Sequence, residues 1–176
     1  MTTLTVIPDS GPGTSEQFEA LYRSCASDLY GYVASIVHDR ASAEDITAVA
    51  FERAFRRRAL FDIRRGSPRS WLFAIARNAA LDELRRRRRS GALLTDIADS
   101  SEQETEGDPQ LAERRVLVRD GLAALEPAER EVILLKFLGR LSNAELARVL
   151  GCSESNAGTR LHRAIQRLRE ACGVTL

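Results

Sequence analysis

The stretch from Thr95 to Pro109 constrains this chain most, because it divides the sequence into two parts. It is composed almost entirely of small and polar residues, and Ile97 is its only large apolar residue. Such a stretch cannot bury enough apolar surface to offset the entropy lost on ordering. We therefore expect residues 91–110 to be a flexible acidic linker. It would join two small domains, residues 15–90 and 111–176, with a flexible tail at residues 1–14.

The first part has the periodicity of helices. Apolar residues recur at three- and four-residue steps from Phe18 to Ile36, as on an amphipathic helix. Ser42 followed by Asp45 predicts the start of a second helix. Ser67-Pro68 combines a cap with a proline at the first helical position, and it predicts a third helix reaching Arg89. We predict three helices here.

The second part has a similar pattern with shorter elements. Residues 111–125 are periodic, and Pro127 predicts another helix start. Residues 142–145 form an S-x-x-E capping box, and Gly151-Cys152 interrupts the helix that follows. Ser153 then predicts the cap of a longer basic helix over residues 154–170. The alternation typical of strands and the hairpin turn dipeptides NG and DG are absent, so we predict an all-α fold with a C-terminal helix-turn-helix.

Charge is segregated along the chain, although the total is only +1. Residues 15–52 hold two Arg and seven acids, and residues 53–89 hold thirteen Arg and three acids. Residues 90–113 hold seven acids and no base, and residues 114–176 hold eleven bases and seven acids. A phosphate backbone is attracted by local blocks rather than by the total, so near-neutrality does not exclude nucleic acid.

Aromatic residues accompany the Arg-rich block. Phe55, Phe61, Trp71 and Phe73 lie within or beside it, and a single-stranded nucleic acid requires both positive charge and aromatic rings. Trp71 and Asn78 fall on one stripe of the predicted third helix. The alternative is a solvated helix end, with the rings in the core, Asn78 merely exposed, and Asp82 paired with Arg85 or Arg86.

The last helix has two distinct faces. Leu161, Ile165 and Leu168 form an apolar stripe, and a separate stripe is basic. In a helix-turn-helix, the first turn of this helix contacts base edges in the major groove. The alternatives are an ordinary helical hairpin with a solvated basic face and an Asn156 that only caps the helix locally. Gly158 either permits close approach to DNA or weakens the helix start.

Several classes of protein are excluded by what the sequence lacks. Cys25, Cys152 and Cys172 are too few and too scattered for a disulfide framework or a zinc site, and we expect no metal and no cofactor. There is no Gly-rich phosphate loop, HExxH or GxSxG, and Asp82 and Glu83 point about 100° apart on a helix. We therefore expect no enzyme. Without an apolar run or a signal sequence, we expect a cytoplasmic protein with no membrane insertion.

The two parts together resemble the extracytoplasmic-function sigma factors of bacterial RNA polymerase. The resemblance covers residues 15–171, and its N-terminal signatures are AEDITAVAFERAF, from Ala43, and FDIRRGSPRSWLFAIARNAALDELRRRRR, from Phe61. The C-terminal signature is LEPAEREVILLKFLGRLSNAELARVLGCSESNAGTRLHRAIQRLRE, from Leu125. The chain departs from the family pattern at Ala48, where Gln is usual, and at residues 155–158, where Gly-Thr-Val-Lys is usual.

The resemblance implies a function and a division of residues among three surfaces. The chain would bind core polymerase, direct it to promoters and help to melt the minus-ten element. The residues implied for single-stranded minus-ten DNA are Phe61, Arg64, Arg65, Trp71, Arg77, Asn78, Arg85 and Arg86. Those for the duplex minus-thirty-five element are Ser155, Asn156, Thr159, Arg160, Arg163 and Arg167. Those for polymerase are Glu44, Asp45, Ala48, Phe51, Glu52 and Phe55.

The implied partners are promoter DNA and core RNA polymerase, contacted at the clamp helices of the largest subunit and the flap of the second-largest. An anti-sigma factor is a further expected partner. Two other functions remain open from the residues. One is a helix-turn-helix regulator that binds duplex DNA without polymerase, and the other is a sigma-like module that titrates a partner.

Overall fold

The computed structural model describes residues 12–90 and 109–173, and every regular element in these ranges is helical. The predicted all-α fold is therefore confirmed. Three helices precede the undescribed residues: α1 (Ser15–Val37), α2 (Arg40–Arg57) and α3 (Pro68–Arg89). Four follow them: α4 (Pro109–Ala123), α5 (Pro127–Phe137), α6 (Asn143–Leu150) and α7 (Glu154–Ala171). Two short 3₁₀ turns, Arg58–Leu60 and Ile63–Arg65, connect α2 to α3.

Side-chain caps set most of the helix starts that the sequence predicts. The Ser67 side chain accepts from the Ser70 N–H at the start of α3. The capping box of α6 is formed in both directions between Ser142 and Glu145. The predicted start of the second helix at Ser42 is wrong. Asp39 is the cap of α2, because its carboxylate accepts from the Ser42 N–H at 2.8 Å.

The first three helices pack against one another around a core of apolar side chains. The α7 helix packs against α4, α5 and α6, and Gly151 ends α6 at φ 67°, a backbone conformation that glycine adopts without steric cost. Among the described helices, none is long and apolar enough to cross a membrane.

The larger apolar core spans both halves, and a smaller cluster of Leu125, Ile133 and Ala164 lies within the C-terminal half. The main core cluster includes Leu72 and Phe73 of α3 together with Leu135, Leu146 and Leu161 of the C-terminal half. The α3 helix contacts α6, and α1 contacts α5. The predicted linker, residues 91–110, lies outside the described residues except for its last two positions, which begin α4. Of the predicted N-terminal tail, only residues 12–14 are described.

Candidate nucleic-acid interface

An aromatic pair lies beside a cavity at the start of α3. Because Ser67-Pro68 starts the helix, Trp71 falls in its first turn, and its ring meets Phe61 from the preceding loop. The ring centroids are 5.5 Å apart with planes at 62°, an edge-to-face arrangement. The cavity measures about 570 Å³. Its lining consists of Leu60, Phe61, Asp62, Arg64, Arg65, Gly66, Ser70, Trp71, Ala74, Glu145, Arg148 and Val149.

The loop that carries Phe61 is shaped by one carboxylate and one glycine. Asp62 accepts from both Nε and Nη2 of Arg64, at 3.0 and 3.1 Å, and from the Arg64 backbone N–H. Hydrogen bonds from Arg64 lower the pKa of Asp62. Gly66 has φ 131°, and a Cβ there would lie 2.7 Å from Ser70 Oγ. The turn into α3 therefore requires glycine at position 66.

The predicted minus-ten residues on α3 differ in whether they are exposed or paired with other side chains of the protein. Asn78 is exposed. Arg77 is paired with Glu131 of α5, with Nε to Oε1 at 2.9 Å and Nη2 to Oε2 at 3.2 Å. The exposed Arg85 and Arg86 pair with acids one turn earlier on the same helix, Asp82 and Glu83 respectively. The structure thus places Phe61 and Trp71 together at the cavity and leaves Asn78 two turns further along α3.

Two arginines that sequence reasoning assigned to no site are internal ties. Arg69 is 7% exposed and donates to Ser24 O, Cys25 Sγ, Leu138 O and Gly139 O, while also pairing with Asp28. Arg87 donates to Val37 O at 3.1 Å and also contacts Asp39, Ser42 and Glu83. It therefore braces the turn between α1 and α2. The only local sign in the sequence that Arg87 is paired is Glu83, which lies four residues earlier on the same helix.

Two glutamates of the C-terminal half, Glu131 and Glu145, were also missed. Glu131 accepts from the Tyr32 hydroxyl at 3.2 Å in addition to Arg77. Glu145 accepts from the backbone N–H groups of Ser67 at 2.8 Å and Ser142 at 2.9 Å. Burial opposes ionisation of Glu145, but hydrogen bonds from Ser67 and Ser142 outweigh it and lower its pKa to about 2. The capping box was the visible signal at Glu145, but its bond to Ser67 was not foreseeable.

The residues predicted for polymerase binding lie on α2. Glu44, Asp45, Ala48, Glu52 and Phe55 are exposed at three- and four-residue steps, so they share one face. Phe51 is the exception, because it is 7% exposed and its ring lies 4.6 Å from that of Tyr22, centroid to centroid. Phe51 therefore supports this face from the core and is not accessible on it.

All six residues predicted for duplex binding are exposed on α7. They are Ser155, Asn156, Thr159, Arg160, Arg163 and Arg167. Arg167 pairs with Glu129 of α5 at 2.7 Å, whereas within the described ranges Arg160 and Arg163 pair with no acid. The Asn156 backbone N–H donates to the Ser153 side chain at 3.2 Å, and Asn156 itself is exposed. A Cβ at Gly158 would meet nothing within 4 Å, so packing does not require this glycine.

In the described part of the chain, no group of three or more His, Cys, Asp and Glu side chains is arranged to hold a metal ion. The cavity instead combines aromatic rings with arginines. These are the side chains that stack on bases and hold phosphates.

Comparison with known families matches both halves. The family model for Sigma-70 region 2 matches residues 21–90, and the model for Sigma-70 region 4 matches residues 115–168. Together they span most of the chain. The chain is also 34% identical to the ECF RNA polymerase sigma factor SigL of Mycobacterium tuberculosis, over 94% of this chain and 97% of that protein.

Two solved structures are similar in fold. The sigma factor RpoE of Bartonella quintana, in complex with the anti-sigma factor NepR, superposes with a TM-score of 0.73. It is 23% identical, and the match covers 92% of this chain and 99% of that one. CnrH, in complex with the cytosolic domain of CnrY, has a TM-score of 0.62 and 25% identity, over 93% of this chain and 92% of that one.

Proposed function

The chain belongs to the extracytoplasmic-function group of RNA polymerase sigma factors, and from that membership we propose how its surfaces share promoter recognition. As a sigma factor it directs RNA polymerase to promoters. In the proposal, the exposed face of α2 binds core polymerase, and α3 with its preceding loop takes the minus-ten element as a single strand. The α7 helix holds the minus-thirty-five element as duplex.

The observation that carries the minus-ten role is the exposed Asn78 on the same helix as Trp71, whose ring packs against Phe61 of the preceding loop beside the cavity. Turning a base out of the duplex costs a few kcal/mol of stacking and pairing. Aromatic contact with a base is worth about 1–3 kcal/mol, and the arginines of the loop attract the phosphates, so together they can offset that cost. Asn78 supplies both a donor and an acceptor to a base edge.

The proposed minus-thirty-five role rests on the exposed first half of α7. Ser155, Asn156 and Thr159 occupy its first turns, where a recognition helix contacts base edges. Arg160 and Arg163 follow, and both are available to phosphates. Residues 155–158 supply no basic side chain, so base contacts here depend on hydroxyl and amide groups.

The polymerase contact is proposed for the exposed face of α2, against the clamp helices of the largest subunit. Glu44, Asp45 and Glu52 supply carboxylates to this face, where Glu44 pairs with Arg40 and Glu52 with Arg56 on the same helix. Phe55 adds an apolar ring that is 40% exposed. Ala48 lies at the centre of the face and offers only a methyl group, so the neighbouring carboxylates carry the polar contacts. The flap of the second-largest subunit is the proposed contact of the C-terminal half.

An anti-sigma protein is the proposed regulatory partner. The sigma factor RpoE, which is similar in fold to this chain, was solved in complex with the anti-sigma factor NepR, and CnrH, which is 25% identical over 93% of this chain, was solved in complex with the cytosolic domain of CnrY. The likeness across both halves supports a partner of this kind for the present chain.

The test is reconstitution with core RNA polymerase, followed by mapping of transcripts from a genomic library. Promoter-specific transcripts are the expected result, and their absence would overturn the proposal. Asn78→Ala should impair open-complex formation more than polymerase binding, with Ser90→Ala at the end of the same helix as the control. Equal loss of both steps would assign Asn78 to folding. Tight duplex binding without polymerase, unchanged by Asn78→Ala, would favour a standalone helix-turn-helix regulator.

A further inference from the structure

Two arginines in the lining of the cavity at the start of α3 have no acidic partner. Arg65 lies in the 3₁₀ turn before α3, and Arg148 lies on α6. The two acids of the same lining are already engaged, because Asp62 pairs with Arg64 and Glu145 accepts from two backbone N–H groups. Among the described residues, no carboxylate pairs with Arg65 or Arg148. Both guanidinium groups are therefore available to an anion.

A backbone contact brings these two arginines together. Nη1 of Arg148 donates to the carbonyl oxygen of Arg65 at 3.0 Å, and this bond uses only one of the five N–H groups of a guanidinium. Nη1 also lies 3.4 Å from the position that a Cβ would take at Gly66, so the bare backbone gives this guanidinium room. Two neighbouring guanidinium groups can each hold one phosphate group through parallel hydrogen bonds.

The same lining also contains aromatic and apolar side chains. The rings of Phe61 and Trp71 meet edge to face, with centroids 5.5 Å apart, and Leu60, Ala74 and Val149 add apolar surface. A planar base can stack on an aromatic ring of this kind, whatever its sequence context. The lining thus joins a surface for a base to a surface for phosphates.

The volume and the charges of the cavity favour one class of small molecule. The volume of about 570 Å³ lies within the range of about 300–1,000 Å³ that small-molecule sites occupy. A nucleoside diphosphate carries a base and two adjacent phosphate groups, which match an aromatic ring and two adjacent guanidinium groups. A single DNA strand carries its phosphates one per nucleotide along the backbone, so it does not offer two adjacent phosphates to Arg65 and Arg148.

We propose that this cavity binds a free purine nucleoside diphosphate, with its base on Trp71 and its phosphates held by Arg65 and Arg148. A purine is the larger base and covers more of the aromatic surface. One arginine comes from each half of the chain, so the site is complete only where the loop before α3 meets α6. Binding of a free nucleotide goes beyond promoter recognition, and it requires neither DNA nor polymerase.

The fluorescence of Trp71 provides the test, because this is the only tryptophan of the chain. The full-length protein is titrated with GDP, and we expect saturable quenching as the base stacks on the ring. Guanosine lacks the phosphates and inorganic pyrophosphate lacks the base, so each should bind at least about tenfold more weakly than GDP. A free tryptophan derivative in a parallel titration corrects for light that the nucleotide absorbs.

Variants locate the nucleotide at this cavity. Arg65→Ala and Arg148→Ala should each weaken GDP binding by about tenfold, because each removes charged hydrogen bonds to a phosphate. Arg88→Ala is the matched control, since it removes another exposed arginine from the far end of α3 and should leave GDP binding unchanged. Circular dichroism of each variant checks that the helices remain formed.

Two results would overturn the nucleotide site. One is the absence of saturable quenching by GDP up to about 1 mM, the upper end of ordinary ligand concentrations. The other is a loss of GDP binding in Arg65→Ala and Arg148→Ala that is no larger than in Arg88→Ala, because general positive charge would then hold the nucleotide. If either result is found while the parent directs transcription with polymerase, only the nucleotide site fails. GDP binding without any promoter transcript would overturn the proposed promoter function and leave the nucleotide site standing.

Discussion

The buried side chain of Arg69 donates a hydrogen bond from Nε to the carbonyl oxygen of Gly139, at 2.8 Å. This bond joins the first turn of α3 to the residues that follow α5, across 70 positions of sequence. The guanidinium also pairs with Asp28 of α1. One side chain therefore joins α3, α1 and the residues that follow α5, and with them both halves of the molecule.

Arg69→Lys should destabilise the protein strongly. A single ammonium group cannot reach the acceptors that the planar guanidinium reaches on several sides, and Asp28 would lose much of its partner. Each hydrogen bond from a charged group contributes about 1.5–3 kcal/mol, and the lysine would lose more than one of them, so we expect a loss of about 3 kcal/mol in urea unfolding. Arg53→Ala, at an exposed position of α2, should stay within about 0.5 kcal/mol of the parent. Equal losses in the two variants would contradict the role of Arg69.

The ionised Glu145 side chain should contribute to the free energy of unfolding, and this contribution should be lost in acid. Its folded-state pKa of about 2 lies below the usual value of 4.5, so the stabilisation is complete above about pH 4.5 and is lost as pH falls toward 2. The full shift would correspond to about 3 kcal/mol. Partial exposure and solvent screening reduce this to about 1–2 kcal/mol.

Urea unfolding of the parent and Glu145→Gln across this range is the corresponding measurement. The two stabilities should differ above pH 4.5 and converge toward pH 2. A difference that is independent of pH would show that the Glu145 charge does not contribute.

Gly158→Ala should stabilise the protein by about 0.5–1 kcal/mol. Glycine inside a helix is less favourable than alanine, and a Cβ here would meet no atom within 4 Å. Thermal unfolding measures the gain, and binding to duplex minus-thirty-five DNA tests the other possible role of this glycine. A stabilised variant with weakened duplex binding would show that the bare backbone approaches DNA.

Arg160→Ala and Arg163→Ala should weaken promoter binding and make its salt dependence shallower. Each phosphate contact that is removed lowers the slope of log K against log salt by about 0.9. Arg169→Ala is the control, because this exposed arginine lies about half a turn around α7 from Arg160. Unchanged slopes for the first two variants would remove them from the phosphate contacts.

Arg87→Ala should destabilise the protein, whereas Arg88→Ala should be nearly neutral. Arg87 is half-buried and donates to Val37 O, and Arg88 is exposed. Hydrogen bonds from a charged group contribute about 1.5–3 kcal/mol, so we expect a loss of about 2 kcal/mol for Arg87→Ala in urea unfolding. Equal changes in stability for the two variants would show that Arg87 has no structural role that Arg88 lacks.

Much of the fold could be predicted because its signals are local. The Ser67 cap and the Ser142–Glu145 capping box act between residues three positions apart, and both are formed as predicted. The pairing of Asp82 with Arg85 is equally local. The prediction of Ser42 as a cap failed because Asp39 and Ser42 are both capping residues, and only the packed chain selects between them.

The sequence predicted which residue types form the candidate site, but not which of them are already paired with other residues of the protein. Exposure of Asn78, Arg160 and Arg163 agrees with their expected positions on helix faces. The pairing of Arg77 with Glu131, 54 positions away, has no local signal. It depends on how the two halves pack.

The sequence by itself determined the helices, their main caps and the segregation of charge, because each depends on neighbours within a turn or on composition. Only the tertiary structure decided which charged residues are internal. Arg69 and Arg87 are chemically the same as Arg65 and Arg88, yet the former pair ties distant backbone carbonyls and the latter pair is exposed. The reason is that burial and partnership arise from contacts between segments far apart in the chain, which no local pattern records.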